Sequence, residues 1–318
     1  MSNANPRYAV PENVSDAAKA ILGQAVDMSF LDQPTPSSAD AWEAQINESN
    51  APFATMIRDM VEKAPVEVSE TKIAGVVVRE VVPTSGLKEG RVLLNVHGGG
   101  FTMFGGELSV MEAIGPASAG YRVLSVDYRM LPHHPFPAAV EDSVAVYRAV
   151  LNDYAPERIA VFGTSAGGAL TASLILAARD EGLPLPAATV MHTPWSDLAR
   201  IGDSYETNEG VDPFMPSYEL VRHAAAVYAG EHSMDHPLIS PVYADFTKGF
   251  PPSLLSTGTR DLLLSCTIRL HRALRAAGVD ADLHVYDAMW HGFSGLVPEE
   301  GQDLARETMA FLDRHLAD

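Results

Sequence analysis

The hydrophobic and polar positions of the chain change period along its length, and each change predicts a change of structure. Over residues 14–31 and 39–61 apolar side chains recur at helical spacing, separated by the turn-rich stretch DQPTPSS at 32–38. From Val66 the pattern becomes that of strands, VEVSETKI at 66–73 and GVVVREVV at 75–82, followed by a loop at 83–90. After that, short apolar runs alternate with longer amphipathic ones. Strands are expected over 91–97, 121–127, 158–163, 187–193, 253–259 and 282–286. Helices are expected over 109–119 and 138–151, from Ala166 onward, and over 263–277 and 303–316. Such alternation predicts an α/β fold with a mostly parallel central sheet flanked by helices on both faces. Residues 197–250 break the rhythm, with a helix near 217–229 inside a long polar, proline-containing stretch of the kind that forms lids or binding loops.

Open parallel sheets bind ligands at the carboxyl ends of their strands, so chemistry is sought where each expected strand stops. The strand at 158–162 runs into Gly163-Thr164-Ser165-Ala166-Gly167 and then a helical segment. A G-x-S-x-G at a strand-to-helix turn is a nucleophile elbow, in which Gly163 and Gly167 relieve crowding in a turn that lifts the Ser165 hydroxyl above the sheet. The pentapeptide alone also describes a glycine-rich turn; its address between strand and helix is what gives it weight. A serine hydroxyl needs a base within hydrogen-bond reach and donors for the oxyanion that forms on attack. His97-Gly98-Gly99-Gly100, at the end of the strand RVLLNV, offers backbone N–H groups without side chains in the way. His291 follows the strand DLHVY and precedes the last helix, which suits the chain order Ser, acid, His. The other histidines named by position, His133, His134, His223 and His271, fall in a proline-rich loop or on helices. The acid between Ser165 and His291 is assigned to Asp261, directly after the strand SLLSTGT, with Asp197 at another strand end as the alternative and Asp287 as a weaker third choice.

Composition narrows the function classes. A formal net charge of −19 repels phosphate backbones and anionic bilayers, which argues against nucleic-acid and membrane-surface partners. Cys266 is the one cysteine, so no internal disulfide forms, and it reads as a small buried hydrophobe. The opening MSNANPRYAVP lacks the charged and apolar regions of a secretory signal, and the apolar runs fall far short of the roughly 20 residues that span a bilayer. A soluble, cytoplasmic protein is expected.

Several ordered motifs together resemble the hormone-sensitive-lipase-like bacterial (family IV) esterases and the related plant carboxylesterases. They are HGGGF at 97–101, DYR at 127–129, FPAAVED at 136–142, GTSAGG at 163–168, PWSDL at 194–198, GTRD at 258–261 and HGF at 291–293. The resemblance implies an α/β-hydrolase fold, a triad of Ser165, Asp261 and His291, and an oxyanion hole from the N–H groups of Gly99, Gly100 and Ala166. It implies that Gly98 helps shape that hole and that His97 organises the loop rather than acting as a base. It also implies a domain plan: 1–62 as the helical N-terminal part of a cap, and 63–318 as the catalytic domain with a cap insertion at about 197–250. Thr164 stands where many relatives carry Asp, which points to the subgroup with GTSAG elbows, and Met130-Leu131-Pro132-His133 replaces a more usual Leu-Ala-Pro-Glu.

The resulting expectation is a carboxylic ester hydrolase for short to medium acyl chains, working through an acyl-enzyme with no metal and no cofactor. Lactone hydrolysis and acyl transfer to another alcohol use the same machinery and stay open. A ligand receptor on a hydrolase scaffold is the reading from another class, and the presence of His291 argues against it. Phe30, Trp42, Phe53 and Phe214 are candidates for the pocket wall, with ordinary packing as the competing explanation. The partner is a small ester, and a homodimer follows from the resemblance only.

Overall fold

The computed structural model describes residues 9–317, apart from 33 and 34 and the side chains of 30 and 32. The chain opens with two helices, α1 (Asp16–Leu22) and α2 (Ala39–Lys63). Each is capped by a serine hydroxyl: Ser15 accepts from the Ala18 N–H and Ser38 from the Ala41 N–H. Helix α1 stops well before residue 31, with Gly23 as its last hydrogen-bonded residue. Phe30, expected at the pocket wall, has its side chain outside the described residues, as do positions 1–8 of the expected leaderless start.

The remaining elements alternate. They are β1 (Val66–Ile73), β2 (Val76–Pro83), β3 (Val92–Val96), α3 (Ile114–Ser118), β4 (Arg122–Asp127), α4 (Ala138–Val150), β5 (Ile159–Thr164), α5 (Ala166–Asp180) and β6 (Ala188–His192). Next come α6 (Ser204–Thr207), α7 (Glu219–Ala229), β7 (Ser253–Gly258), α8 (Leu264–Ala276), β8 (Ala281–Tyr286) and α9 (Pro298–His315). All eight strands form one sheet in the order β1-β2-β4-β3-β5-β6-β7-β8. β2 is antiparallel to both neighbours, whereas the pairings from β4 to β8 are parallel.

The period-two geometry of strands divides the core. Val92, Leu94 and Val96 of β3, with Ile159 and Val161 of β5, face one apolar cluster that includes Leu170 and Leu174 of α5 and Val144 of α4. Leu93, Ala160 and Phe162 face the other, with Ile57 of α2, Ile114 of α3 and Phe311 of α9. The central strands are therefore buried on both faces, which explains their unbroken apolar runs. A smaller third cluster joins Val14 and Ala18 to Met289, Trp290, Phe293 and Leu304.

The helix expected over 109–119 is instead a 3₁₀ turn at Gly106–Val110 followed by the short α3. Pro116 stands in the first turn of α3, where its missing N–H costs no helical bond. Among the described residues, no helix is long and apolar enough to cross a membrane.

Candidate active site

Four strands end at one edge of the sheet and bring the expected residues together. At the end of β5 the chain turns so sharply that Ser165 takes φ 59° and ψ −121°, a left-handed conformation unusual for a side chain other than glycine. Its backbone is pinned on both sides, the N–H donating to His192 O and the C=O accepting from Trp195 N–H. The turn also brings the elbow against the loop after β3. A Cβ on Gly163 or Gly167 would lie 2.3 or 2.1 Å from Val96 O, so no larger residue fits without moving a backbone.

The Ser165 hydroxyl lies 2.8 Å from His291 Nε2, and His291 Nδ1 lies 3.1 Å from Asp261 Oδ1. Asp261 is fully buried; the Leu263 N–H (2.8 Å) donates to Oδ1 and the Thr257 hydroxyl (2.7 Å) to Oδ2. Burial opposes a charge on the His291 ring. The charge and hydrogen bond of Asp261, aided by the charge of Asp212, outweigh it and hold the pKa above the ordinary histidine value.

The HGGG loop has its own support. Burial drives the His97 pKa down to about 4, so the ring is neutral near pH 7. Its Nδ1 lies 2.8 Å from Gly98 O, and the ring stacks on Tyr128 with centroids 4.3 Å apart. The Tyr128 hydroxyl donates in turn to His97 O (2.7 Å). His97 Nδ1 is thus engaged within the loop, whereas the Ser165 hydroxyl meets His291. Gly99 has φ +104°, and a Cβ there would meet Met103 O at 2.4 Å, so the loop needs glycine at that position. Gly98, Gly99, Gly100, Ser165 and His291 line a cavity of about 1430 Å³. Ala166 sits buried behind Ser165 as the first residue of α5.

A family model for the alpha/beta hydrolase fold matches residues 93–295. An acetyl-hydrolase of Streptomyces hygroscopicus is 38% identical over 218 residues, which is 67% of this chain and 72% of that one. The esterase LipI of Mycobacterium tuberculosis is 33% identical over 227 residues, 66% of this chain and 68% of the relative. Among solved structures, esterase E25 superposes with a TM-score of 0.92 at 37% identity, covering 96% of each chain. An esterase from the bacterial hormone-sensitive lipase family superposes with a TM-score of 0.83 at 34% identity, over 96% of this chain and 99% of that one. The chain belongs to the hormone-sensitive-lipase-like (family IV) esterases.

This esterase is a serine carboxylesterase of the α/β-hydrolase fold. The two other acids weighed for the site are engaged elsewhere. Asp197 is ion-paired with Arg269 and accepts from Ala199 N–H, Ile201 N–H and the Tyr243 hydroxyl, each at 3.0 Å. Asp287 accepts from the Asn13 amide at 2.9 Å, on the outside of the loop. Of the aromatic candidates, Trp42, Phe53 and Phe214 line the cavity, and Phe53 meets Phe214 edge-on at 6.4 Å between centroids. His133 is paired with Glu43 and His223 with Thr35, each at 2.7 Å.

Two residues of the esterase's site escaped the sequence reading. Glu112 lies just before α3 and joins the two catalytic loops: its carboxylate accepts from Gly98 N–H (2.8 Å), Thr164 N–H (3.0 Å) and the Asn95 amide (3.3 Å). Burial pushes its pKa up to about 7, against the pull of these donors. Asp212 lies between α6 and α7 and is bonded to the backbone of His291 itself. Neither stands at a strand end or in a recognisable motif.

Proposed function

We propose that the esterase hydrolyses short to medium acyl esters through Ser165, His291 and Asp261 and an acyl-enzyme intermediate. The observation that carries this reading is the hydrogen-bonded chain from Ser165 Oγ through His291 to Asp261, with links of 2.8 and 3.1 Å. His291 Nε2 takes the hydroxyl proton as Ser165 Oγ attacks the carbonyl carbon. The N–H groups of Gly99, Gly100 and Ala166 receive the negative charge that develops on the carbonyl oxygen. The C–O bond to the alcohol breaks, and His291 returns its proton to the departing oxygen. Water then attacks the acyl carbon, again giving a proton to His291, and the acid leaves as that proton returns to Ser165.

Asp261 fixes the ring so that Nδ1 carries the hydrogen and Nε2 is free to act as base, and its charge supports the imidazolium. Of the N-terminal region, α2 acts as cap together with residues 197–250. In support, Trp42 and Phe53 of α2 and Leu220 and Val221 of α7 line the cavity opposite Ser165. That one relative is named an acetyl-hydrolase supports small acyl groups for this chain. The apolar side chains of Trp42, Phe53 and Met215 on the cavity wall suit longer ones as well.

The test is a panel of p-nitrophenyl esters of increasing acyl length with the wild type and Ser165→Ala. The serine variant is expected to lose at least about a thousandfold in kcat on every ester while keeping its melting temperature. A serine-directed phosphonate should label the wild type at Ser165. Full activity in Ser165→Ala, or labelling at another residue, would overturn the assignment.

A further inference from the structure

Asp212 lies in the segment between α6 and α7 and is fully buried. Its Oδ1 accepts from the N–H groups of Phe214 and Met215, both at 2.8 Å. Its Oδ2 accepts from the N–H of His291 at 2.9 Å and from the N–H of Leu262 at 3.1 Å. The four donors come from three stretches of chain: the segment itself, the loop after β7 that carries Asp261, and the loop after β8 that carries His291. Phe214 and Met215, the local pair, line the substrate cavity.

A carboxylate has about four acceptor positions, and here N–H groups fill them. A protonated acid would have to aim its O–H at one of these donors, so the hydrogen bonding suits the charged form. Burial, and after it the nearby Asp261, raises the Asp212 pKa above the ordinary carboxylate value, against the pull of His291 and the backbone donors. The arrangement differs from ordinary loop packing in one respect. Asp261 holds His291 by its ring and Asp212 holds the same residue by its backbone, so the base is fixed from two sides.

We infer that Asp212 is a positioning residue for the reaction. Its carboxylate ties the backbones bearing Asp261 and His291 to the cavity wall bearing Phe214 and Met215, and its charge supports the imidazolium. The inference rests on the triad reading above. An Asn at this position would keep the shape, lose the charge and turn an amide N–H₂ toward the donors that Asp212 accepts from. The charged groups facing the His291 ring are Asp261, from the loop after β7, and Asp212; Ser165 faces Nε2.

The experiment compares the wild type, Asp212→Asn, Asp212→Glu and Ser165→Ala on one short-chain p-nitrophenyl ester across the pH range in which histidine titrates. The base works only when unprotonated, so kcat/KM falls on the acid side as His291 takes up a proton. Removing a negative charge makes the imidazolium less stable. Asp212→Asn should therefore move this limb down by about one pH unit. Its kcat should fall roughly ten- to a hundredfold, with KM changed much less. Asp212→Glu keeps the charge but displaces it, so its acid limb should stay near that of the wild type while kcat falls.

Merely structural damage lowers activity without extending it to lower pH. A folded Asp212→Asn enzyme with an unmoved limb, whatever its kcat, would overturn the proposal. Should Asp212→Asn not fold, the wild type supplies an independent arm. The amides of Leu262 and His291 should exchange slowly with deuterium, and exchange of both at the rate of exposed loop amides would overturn the proposal equally. An active Ser165→Ala would sink the triad reading itself, whereas an inactive Ser165→Ala with an unmoved limb would sink the Asp212 proposal alone.

Discussion

A buried carboxyl group must be matched by donors or give up its charge, and Glu112 sits between these outcomes. Its ordinary pKa of 4.5 is raised by burial to about 7. The folded state therefore holds a proton that the unfolded chain has already released between these values, and stability falls as pH rises through that window. The shift corresponds to about 3 kcal/mol for this part-buried group. Glu112→Gln removes the titration. The stability advantage of the wild type over the variant should therefore shrink from about pH 4.5 to about pH 7, as read from urea midpoints at matched pH. A difference independent of pH would show that Glu112 does not titrate there. His291 titrates on the working side of the same site. Because Asp261 and Asp212 outweigh burial and hold its pKa above 6.5, activity should be lost on acidification through a pKa above that value. At this scale Ser165, Asp261 and His291 were legible, because each follows an apolar strand run and their chain order is diagnostic. Glu112 and Asp212 were not. Their role depends on which N–H groups surround a carboxylate, and those groups come from segments that no local pattern connects.

At the scale of elements, the turn from β5 to α5 shows how the nucleophile's address is built. The strand and the helix meet so closely with the loop after β3 that the backbone of Val96 fills the space where side chains at Gly163 and Gly167 would lie. Gly163→Ala and Gly167→Ala should each destabilise the fold by about 1–3 kcal/mol, the usual cost of overpacking. They should also slow phosphonate labelling of Ser165 by shifting the elbow from the HGGG loop. Wild-type melting temperature and labelling rate in both variants would refute the steric account. The elements themselves were readable from period alone where burial is simple. β3 and β5 are largely apolar because both faces are covered, and the spacing of α4 follows its buried side. The reading failed where one residue overrides a pattern. Pro298, at the first turn of α9 with Glu299 and Glu300 beside it, starts that helix five residues earlier than its apolar spacing suggests.

At the scale of the whole molecule, the two ends of the chain meet behind the site. Val14 and Ala18 pack on Met289, Trp290 and Leu304, so α1 covers the loop that presents His291. Three polar links fasten the same segment: Arg260, beside Asp261, donates to Ala9 O (2.7 Å), Asn13 donates to Asp287 (2.9 Å), and the Ser15 N–H and hydroxyl both donate to Glu300 at 2.8 Å. Contacts spanning 274 and 285 positions leave no trace in local periodicity, which is why the N-terminal helix could be read as an element and not as a brace. Deleting residues 1–22 uncovers the Trp290 face and removes every one of these links. Burying one or two aliphatic side chains contributes about 3 kcal/mol, so the truncated enzyme should melt several degrees lower. The effect on catalysis should follow the loop rather than the cavity: kcat falls roughly tenfold, because His291 is less well held, while KM for a short ester changes little. Ser15→Ala is the milder version, expected to cost about 1 kcal/mol through the lost cap, with a smaller fall in kcat. Hydrogen exchange locates the cause, since the amides of the His291 loop should lose protection in the truncated enzyme while those of β3 and β5 keep theirs. A truncated enzyme with wild-type kcat and a protected His291 loop would show that Asp212 and Asp261 hold the histidine without help from α1.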